Sequence, residues 1–464
     1  MAGLHRSPWL WAILGAVLLA LALWPAWYAG AWWRLHKVKA EIFAAGLPTT
    51  GVEVLPKPIP AEQNAAPLLV GVEKIWQALK DSEGFIKASP GANDAERNPL
   101  MFDADRLNQL QAQLQKPEVR EMFRLMTEAS RKPTAWFKRD YSNALRIEMD
   151  PLASLLSAVQ LLCADSWLAA QKGNQKDAAD DLLTCSKLSL FGLQDILLIG
   201  WLVGVSVDNL SVNTAQLVIS KLPPGSFTMD DWKALGDSWL KHEGEAQAQL
   251  CKALDAERVI YGGYVFEGAM QGCFSLGDMV VDTLSIDGAS PRAAEWRETM
   301  NGYQTVGRPL VLSDYVAYLQ MMQAVRSEIE KGITPQGSAA SDKFSGSVPK
   351  YAVLTRLSAP VFDVIPARLA EYEVNLQLGR LGLALEDFRS HEGKYPATLP
   401  DLGLPEATIT DPFTGRPFIY RTERDNVLVY SVGFDREDGG GVPRAIGGRR
   451  DLVWRIERGE VGHE

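Results

Sequence analysis

Between Pro8 and Trp33 the chain reads PWLWAILGAVLLALALWPAWYAGAWW, a run without a single charge. About 20 apolar residues suffice for a helix to cross a hydrocarbon layer of roughly 30 Å, so this run is predicted to span a membrane. Trp9 and Trp11 mark one end, and Trp24, Trp27, Tyr28, Trp32 and Trp33 mark the other, as rings resting in two lipid–water interfaces would. A cleaved signal peptide competes with this reading, because Arg6 precedes the run and Ala29-Gly30-Ala31 offers a small-residue cleavage site. Arg34, Lys37 and Lys39 outnumber Arg6 and favour a cytoplasmic body by the positive-inside count, but long domains translocate largely regardless of such counts.

Beyond the run the pattern changes twice. Pro48 to Pro60 is rich in Pro and Gly and reads as a spacer. After Glu62 apolar residues recur at helical spacing, as in Leu107, Leu110 and Leu114, or Leu152, Leu155, Val159 and Leu162. Lys172-Gly173-Asn174-Gln175 interrupts two such patterns and is predicted to turn an αα-hairpin. Around it, Ala170, Gly173, Ala178 and Leu182 hold small or apolar positions like those of one tetratricopeptide unit, with no second copy at a fixed period. KGITPQGSAASDKFSGSVPK, residues 331–350, has no apolar period and reads as a linker. A further helix then carries Val374, Leu378, Leu381, Leu385 and Phe388 on one narrow seam and stops at Gly393.

After that helix the period shortens to two. Phe418 to Arg421 and Val427 to Val432 are predicted to pair as a hairpin across Glu423-Arg424-Asp425-Asn426, and Leu452 to Ile456 offers a third strand. The fold class is therefore mainly α: an N-terminal transmembrane helix, an irregular helical array, and a small C-terminal α+β module. The predicted organisation is a tail at 1–7, the anchor at 8–33, a spacer at 34–61, a helical body at 62–330, the linker at 331–350 and the C-terminal module at 351–464.

Composition narrows the function. The 464 residues carry 47% hydrophobic and 22% charged side chains, an ordinary globular balance for two or three folding units. A net charge of -10 with scattered basic residues speaks against nucleic acid as a partner. Five dispersed histidines suggest no metal site, and GxxxxGK[ST], HExxH, GxSxG and CxxC are all missing. The adjacent acids Asp180-Asp181 and Asp230-Asp231 read as solvated faces or helix starts.

The four cysteines form two pairs of equal separation. Cys163 and Cys185 are centred on Asn174, and Cys251 and Cys273 on Gly262 within Tyr261-Gly262-Gly263-Tyr264. If each centre is a tight helix-helix turn, the partners lie at one height on antiparallel helices, within reach of a disulfide. Such bonds belong to oxidising compartments; four small buried thiols are the alternative.

Three motifs in order, Gly393, Tyr395 and Pro396, then Asp411, Pro412, Gly415 and Pro417, then Tyr430, Ser431, Gly433, Asp435, Gly439 and Gly440, resemble the C-terminal portion of the major pseudopilin of bacterial type II secretion systems. The resemblance spans Leu369 to Gly441. It implies a location outside the cytoplasm and a calcium site in the acidic loop, with Asp435, Glu437 and Asp438 as oxygen donors. Met1 to Ala20 lacks the prepilin-peptidase arrangement of that family, so pilin-like processing is not implied. The whole chain resembles single-span bacterial envelope proteins with a helical body. The expected function is non-enzymatic: a protein of the inner membrane, body outside the cytoplasm, serving interaction or scaffolding toward an envelope partner. An envelope hydrolase with dispersed carboxylates and a secretion or pilus accessory are the alternatives.

Overall fold

The computed structural model describes residues 8–92, 96–142, 144, 147, 149–223, 225–332, 344–423, 425–442 and 451–458. The expected tail at 1–7, the middle of the expected linker at 333–343, and Arg424 of the expected hairpin turn lie outside them. In chain order the helices are α1 (Pro8–Ala44), α2 (Gly51–Val54), α3 (Ala66–Leu79), α4 (Ala104–Leu114), α5 (Pro117–Ala129), α6 (Asp150–Gln171), α7 (Gln175–Leu193) and α8 (Leu198–Lys221). They continue with α9 (Met229–Gly262), α10 (Gly268–Gln271), α11 (Leu276–Thr283), α12 (Pro291–Gln304), α13 (Arg308–Glu330), α14 (Val353–Asp363), α15 (Ile365–Glu392) and α16 (Glu406–Ile409). The strands are β1 (Thr410–Asp411), β2 (Arg416–Pro417), β3 (Ile419–Glu423), β4 (Asn426–Ser431) and β5 (Leu452–Ile456). The protein is thus mainly α, with an apolar N-terminal helix and a small antiparallel C-terminal sheet.

Helix α1 continues past Trp33, where the anchor was expected to give way to a spacer. Its 37 residues make a rod of about 55 Å, so a bilayer crossing leaves roughly 25 Å standing free of the hydrocarbon. That half is docked: Ala31, Leu35, Val38 and Ile42 are buried, and α1 packs along α13. Burying three side chains of this size contributes on the order of 5 kcal/mol, enough to hold α1 as an arm of the body instead of a hinge. Lys39 also pairs with Glu267, its ammonium 5.1 Å from the centre of the Tyr315 ring. No residue of the apolar window of α1 is buried by protein. Two more helices are long and apolar enough to cross a membrane, but α6 buries 67% of its window and α8 56% among neighbouring helices.

The α6–α7 hairpin forms as predicted. Gly173 takes the left-handed conformation (φ 77°), the Asn174 side chain caps α7 by accepting from Asp177 N, and Ser166 Oγ donates to the Ala178 carbonyl across the pair at 2.8 Å. Helices α7 and α8 then cross almost backbone to backbone, for a Cβ on Gly204 would stand 2.4 Å from Leu193 N.

Helix α15 ends at Gly393 (φ 71°), where the sequence predicts, but it buries far more than one seam. Val374, Leu378, Leu381 and Leu385 are buried, and so are Tyr372, Leu376 and Leu383 on other faces. The helix lies between α8 and α9 on one side and β5 on the other. Polar residues survive there through partners: Gln377 donates to the Ala407 and Thr408 carbonyls, and Glu386 is held by Arg458 at 2.8 Å and by the Tyr395 hydroxyl. The apolar core therefore runs without a break from the helical body into the C-terminal region.

The sheet has the order β3-β4-β5, antiparallel throughout. Register places Val429 opposite Trp454 and Val427 opposite Ile456, so four buried apolar side chains form one face. That face closes on α15 at Gly382. The separate pair β1–β2 is a tight turn, with Gly415 (φ 67°) donating to the Asp411 carbonyl and the buried Asp411 side chain accepting from Phe413 N.

Candidate functional site

The polar concavity of the helical body lies where α4, α5 and the α6–α7 hairpin meet, a cleft of about 520 Å³. Hydrophobic periodicity puts Leu114 and Leu168 against the core and leaves polar neighbours to line the opening: Gln111, Gln115, Arg120, Asp165, Lys172, Asn174, Asp177 and Asp181. Arg120 grips Asp165 through two hydrogen bonds of 2.6 and 2.9 Å, a bidentate pair between α5 and α6. Asp177 is bound to Asn174 at the hairpin turn.

Asp181 departs from the reading of Asp180-Asp181 as a solvated face. Asp180 is exposed beside Lys176, whereas Asp181 turns into the cleft. Burial pushes its carboxyl well above the usual range, the Asp165 charge adds to the rise, and Arg120 partly opposes it. A carboxyl raised by burial thus stands near an aspartate that is paired with a guanidinium. The arrangement offers carboxyl, amide and cationic groups to a polar ligand. None of this has a linear signature, since Arg120, Asp165 and Asp181 come from three helices; Asp230-Asp231, by contrast, is a helix start, with Asp231 accepting from the Thr228 hydroxyl.

One further grouping proves structural. His242 Nδ1 contacts Asp208 at 2.7 Å and the Ser189 hydroxyl at 3.4 Å, and Tyr372 donates to the same Asp208 oxygen. Serine and aspartate meet the same ring nitrogen, whereas nucleophilic catalysis needs them on opposite ones, and the cluster is sealed in the core. His36 and His391 are exposed, and His5 and His463 lie outside the described residues.

The cysteine pairs fare differently. Cys163 and Cys185 face each other across the α6–α7 hairpin, both buried, with Sγ atoms 3.9 Å apart as thiols. The Cys251–Cys273 pairing is corrected. Tyr261-Gly262-Gly263-Tyr264 does not turn: α9 passes into a π-helix, Gly263–Glu267, and on into α10. Twenty or so residues of continuous helix put Cys251 about 30 Å from the end that carries Cys273, far beyond disulfide reach. Gly262 is there to admit Tyr318, whose ring would stand 2.6 Å from a Cβ.

In the C-terminal loop Asp435 and Asp438 both bind their own backbone. Asp435 accepts from Glu437 N, and Asp438 accepts from Gly440 N and the Tyr430 hydroxyl, which holds its carboxyl below the usual range. Asp451, which the sequence reading overlooked, receives Gly439 N at 3.1 Å and Gly441 N at 2.7 Å. Among the described residues no three His, Cys, Asp or Glu are gathered as a metal site. Both hydrogen bonds to Asp438 fall on Oδ1.

No protein-family model matches the chain, and neither a curated protein nor a solved structure matches it.

Proposed function

We propose that this is a non-enzymatic protein of the inner membrane, crossing it once through α1, with its body outside the cytoplasm and the α4–α7 cleft as its interaction surface toward an envelope partner. The observation that carries the reading is the divided burial of α1. One half is apolar with none of its window buried by protein, while the other is locked to α13. A helix built that way delivers a rigid body to a membrane surface. The apolar windows of α6 and α8 are consumed by packing, which supports a single crossing.

Protease treatment of intact and lysed spheroplasts tests the topology: the body is digested in intact spheroplasts, and protection until lysis would overturn the reading. The pseudopilin-like segment supports the same side of the membrane. An accessory role toward a pilus is tested by co-purification with surface variants such as Arg421→Glu. Deletion from Lys350 onward would remove α15 and with it the core.

One observation favours a second reading. An Asp181 carboxyl raised by burial near an Arg120-paired Asp165 sets two carboxyl groups in unlike environments, as acid catalysis of glycosidic cleavage does. An envelope polysaccharide hydrolase would release reducing ends from isolated wall polysaccharide and lose that activity in Asp181→Asn. Both oxygens of Asp165 are taken by Arg120, which is why the non-enzymatic reading comes first.

A further inference from the structure

The turn between α12 and α13 is fastened to the part of α1 that a crossing helix keeps at the membrane. Trp24 Nε1 donates to the Val306 carbonyl at 2.8 Å, and the Trp24 ring stacks on Tyr28 with centroids 5.6 Å apart. If Trp9 marks one interface, a helix reaches the other about 20 residues later, near Tyr28; Trp24 then lies one turn, about 6 Å, to the bilayer side. The Val306 carbonyl shares that depth.

The Val306 side chain points outward, 74% exposed. Among the described residues of the body only Val52, at 85%, is a more exposed large apolar residue, and it sits on α2, beyond the opposite end of α1. Nor is the turn free to withdraw. Gly307 N donates to the Gly302 carbonyl at 2.9 Å and Arg308 N to the Thr305 carbonyl at 3.3 Å. Even a Cβ on Gly307 would stand 2.8 Å from the Tyr303 carbonyl oxygen, and the Tyr303 hydroxyl is anchored on Asp314 at 2.9 Å. Arg308, also exposed, follows two residues after Val306.

We propose that this turn is a second membrane contact: Val306 enters the boundary between headgroups and acyl chains, and Arg308 meets lipid phosphates. The occupant of the exposed apolar surface is the phospholipid bilayer, because the depth fixed by Trp24 leaves lipid as the medium around it. The inference rests on α1 spanning the membrane, and it adds that the tilt of α1 and its docked body is restricted, since a second contact beside the helix must stay at its own depth.

The test uses the full chain in liposomes of phosphatidylcholine and phosphatidylglycerol, with Cys273→Ser removing the exposed thiol. An environment-sensitive fluorophore is placed in turn at Val306→Cys, Val52→Cys and Leu14→Cys. The expected result at position 306 is blue-shifted emission, quenching by lipids carrying a spin label near the headgroup, and loss of quenching by aqueous iodide; position 52 shows the reverse. Position 306 behaving like position 52 while position 14 is quenched from within the lipid would overturn the proposal and leave the anchor standing. An iodide-quenched probe at position 14 would overturn the anchor and the proposal together.

Discussion

Replacing Gly382 by alanine asks whether the C-terminal sheet is packed on α15 as described. A Cβ there would lie 2.1 Å from Trp454 Cε2, 2.3 Å from Nε1 and 2.5 Å from Cδ2. Ordinary contact begins near 3.4 Å, so the indole must retreat by roughly 1 Å or more, and it is one of the largest fully buried side chains. Overpacking of a tight core costs about 1–3 kcal/mol, and a rigid ring with no exit belongs near the top of that range. Against it stands the gain of about 1 kcal/mol from replacing a mid-helix glycine by alanine. The net expectation is a loss of about 2 kcal/mol. Gly244, exposed in α9 with nothing within 4 Å of its would-be Cβ, supplies the control, and Gly244→Ala should gain about 1 kcal/mol. Urea unfolding in detergent, followed by tryptophan fluorescence, reads the two as midpoint shifts of opposite sign at unchanged slope. In Gly382→Ala/Trp454→Leu the clash is gone, so the two costs add to less than their sum. A Gly382→Ala protein stabilised as much as Gly244→Ala would show that Trp454 does not sit on α15, and the continuous core would have to be given up.

Other perturbations test the buried chemistry. Burial and the neighbouring Glu243 push Glu373 from 4.5 up to about 8, so the folded state keeps a proton that the unfolded chain releases. Stability must then fall as pH rises through that window; Glu373→Gln should gain on wild type from about pH 4.5 to 8 and hold the gain above it, and parallel melting curves at pH 5, 7 and 9 would refute the shift. In protein isolated from an oxidising compartment, Cys163 and Cys185, 3.9 Å apart as thiols, should be recovered as one cross-linked peptide pair and Cys251 and Cys273 as alkylated thiols; four alkylated thiols would remove the disulfide. Asp451→Ala should lower the melting temperature by uncapping Gly439 and Gly441, and an unchanged melting temperature would refute that role.

What the sequence reveals and what it conceals can be followed through three glycines. Gly173 sits among Lys, Asn and Gln with an Asn ready to cap the next helix, and Gly393 lies three residues before a proline; both take a left-handed conformation and both end a helix. Gly262 looks like a breaker by the same rule, yet it is flanked by Tyr261 and Tyr264 and stays helical, because the space of its missing side chain is filled by Tyr318 from α13. Gly173 and Gly393 are needed by their own backbone, and Gly262 by a neighbouring helix. The second kind cannot be recognised without knowing the neighbour. The same limit hid the breadth of α15, whose Gln377, Glu386 and Arg389 look solvent-facing until the Ala407 carbonyl, Arg458 and Asp425 are brought to them. It also hid the cleft, where Asp181 owes its proton affinity to burial and to an aspartate on another helix. Periodicity reports which residues leave water, and so the helices, the strands and their order were legible. Which polar residues leave water with them depends on contacts distant in sequence, and there the candidate site of this protein is made.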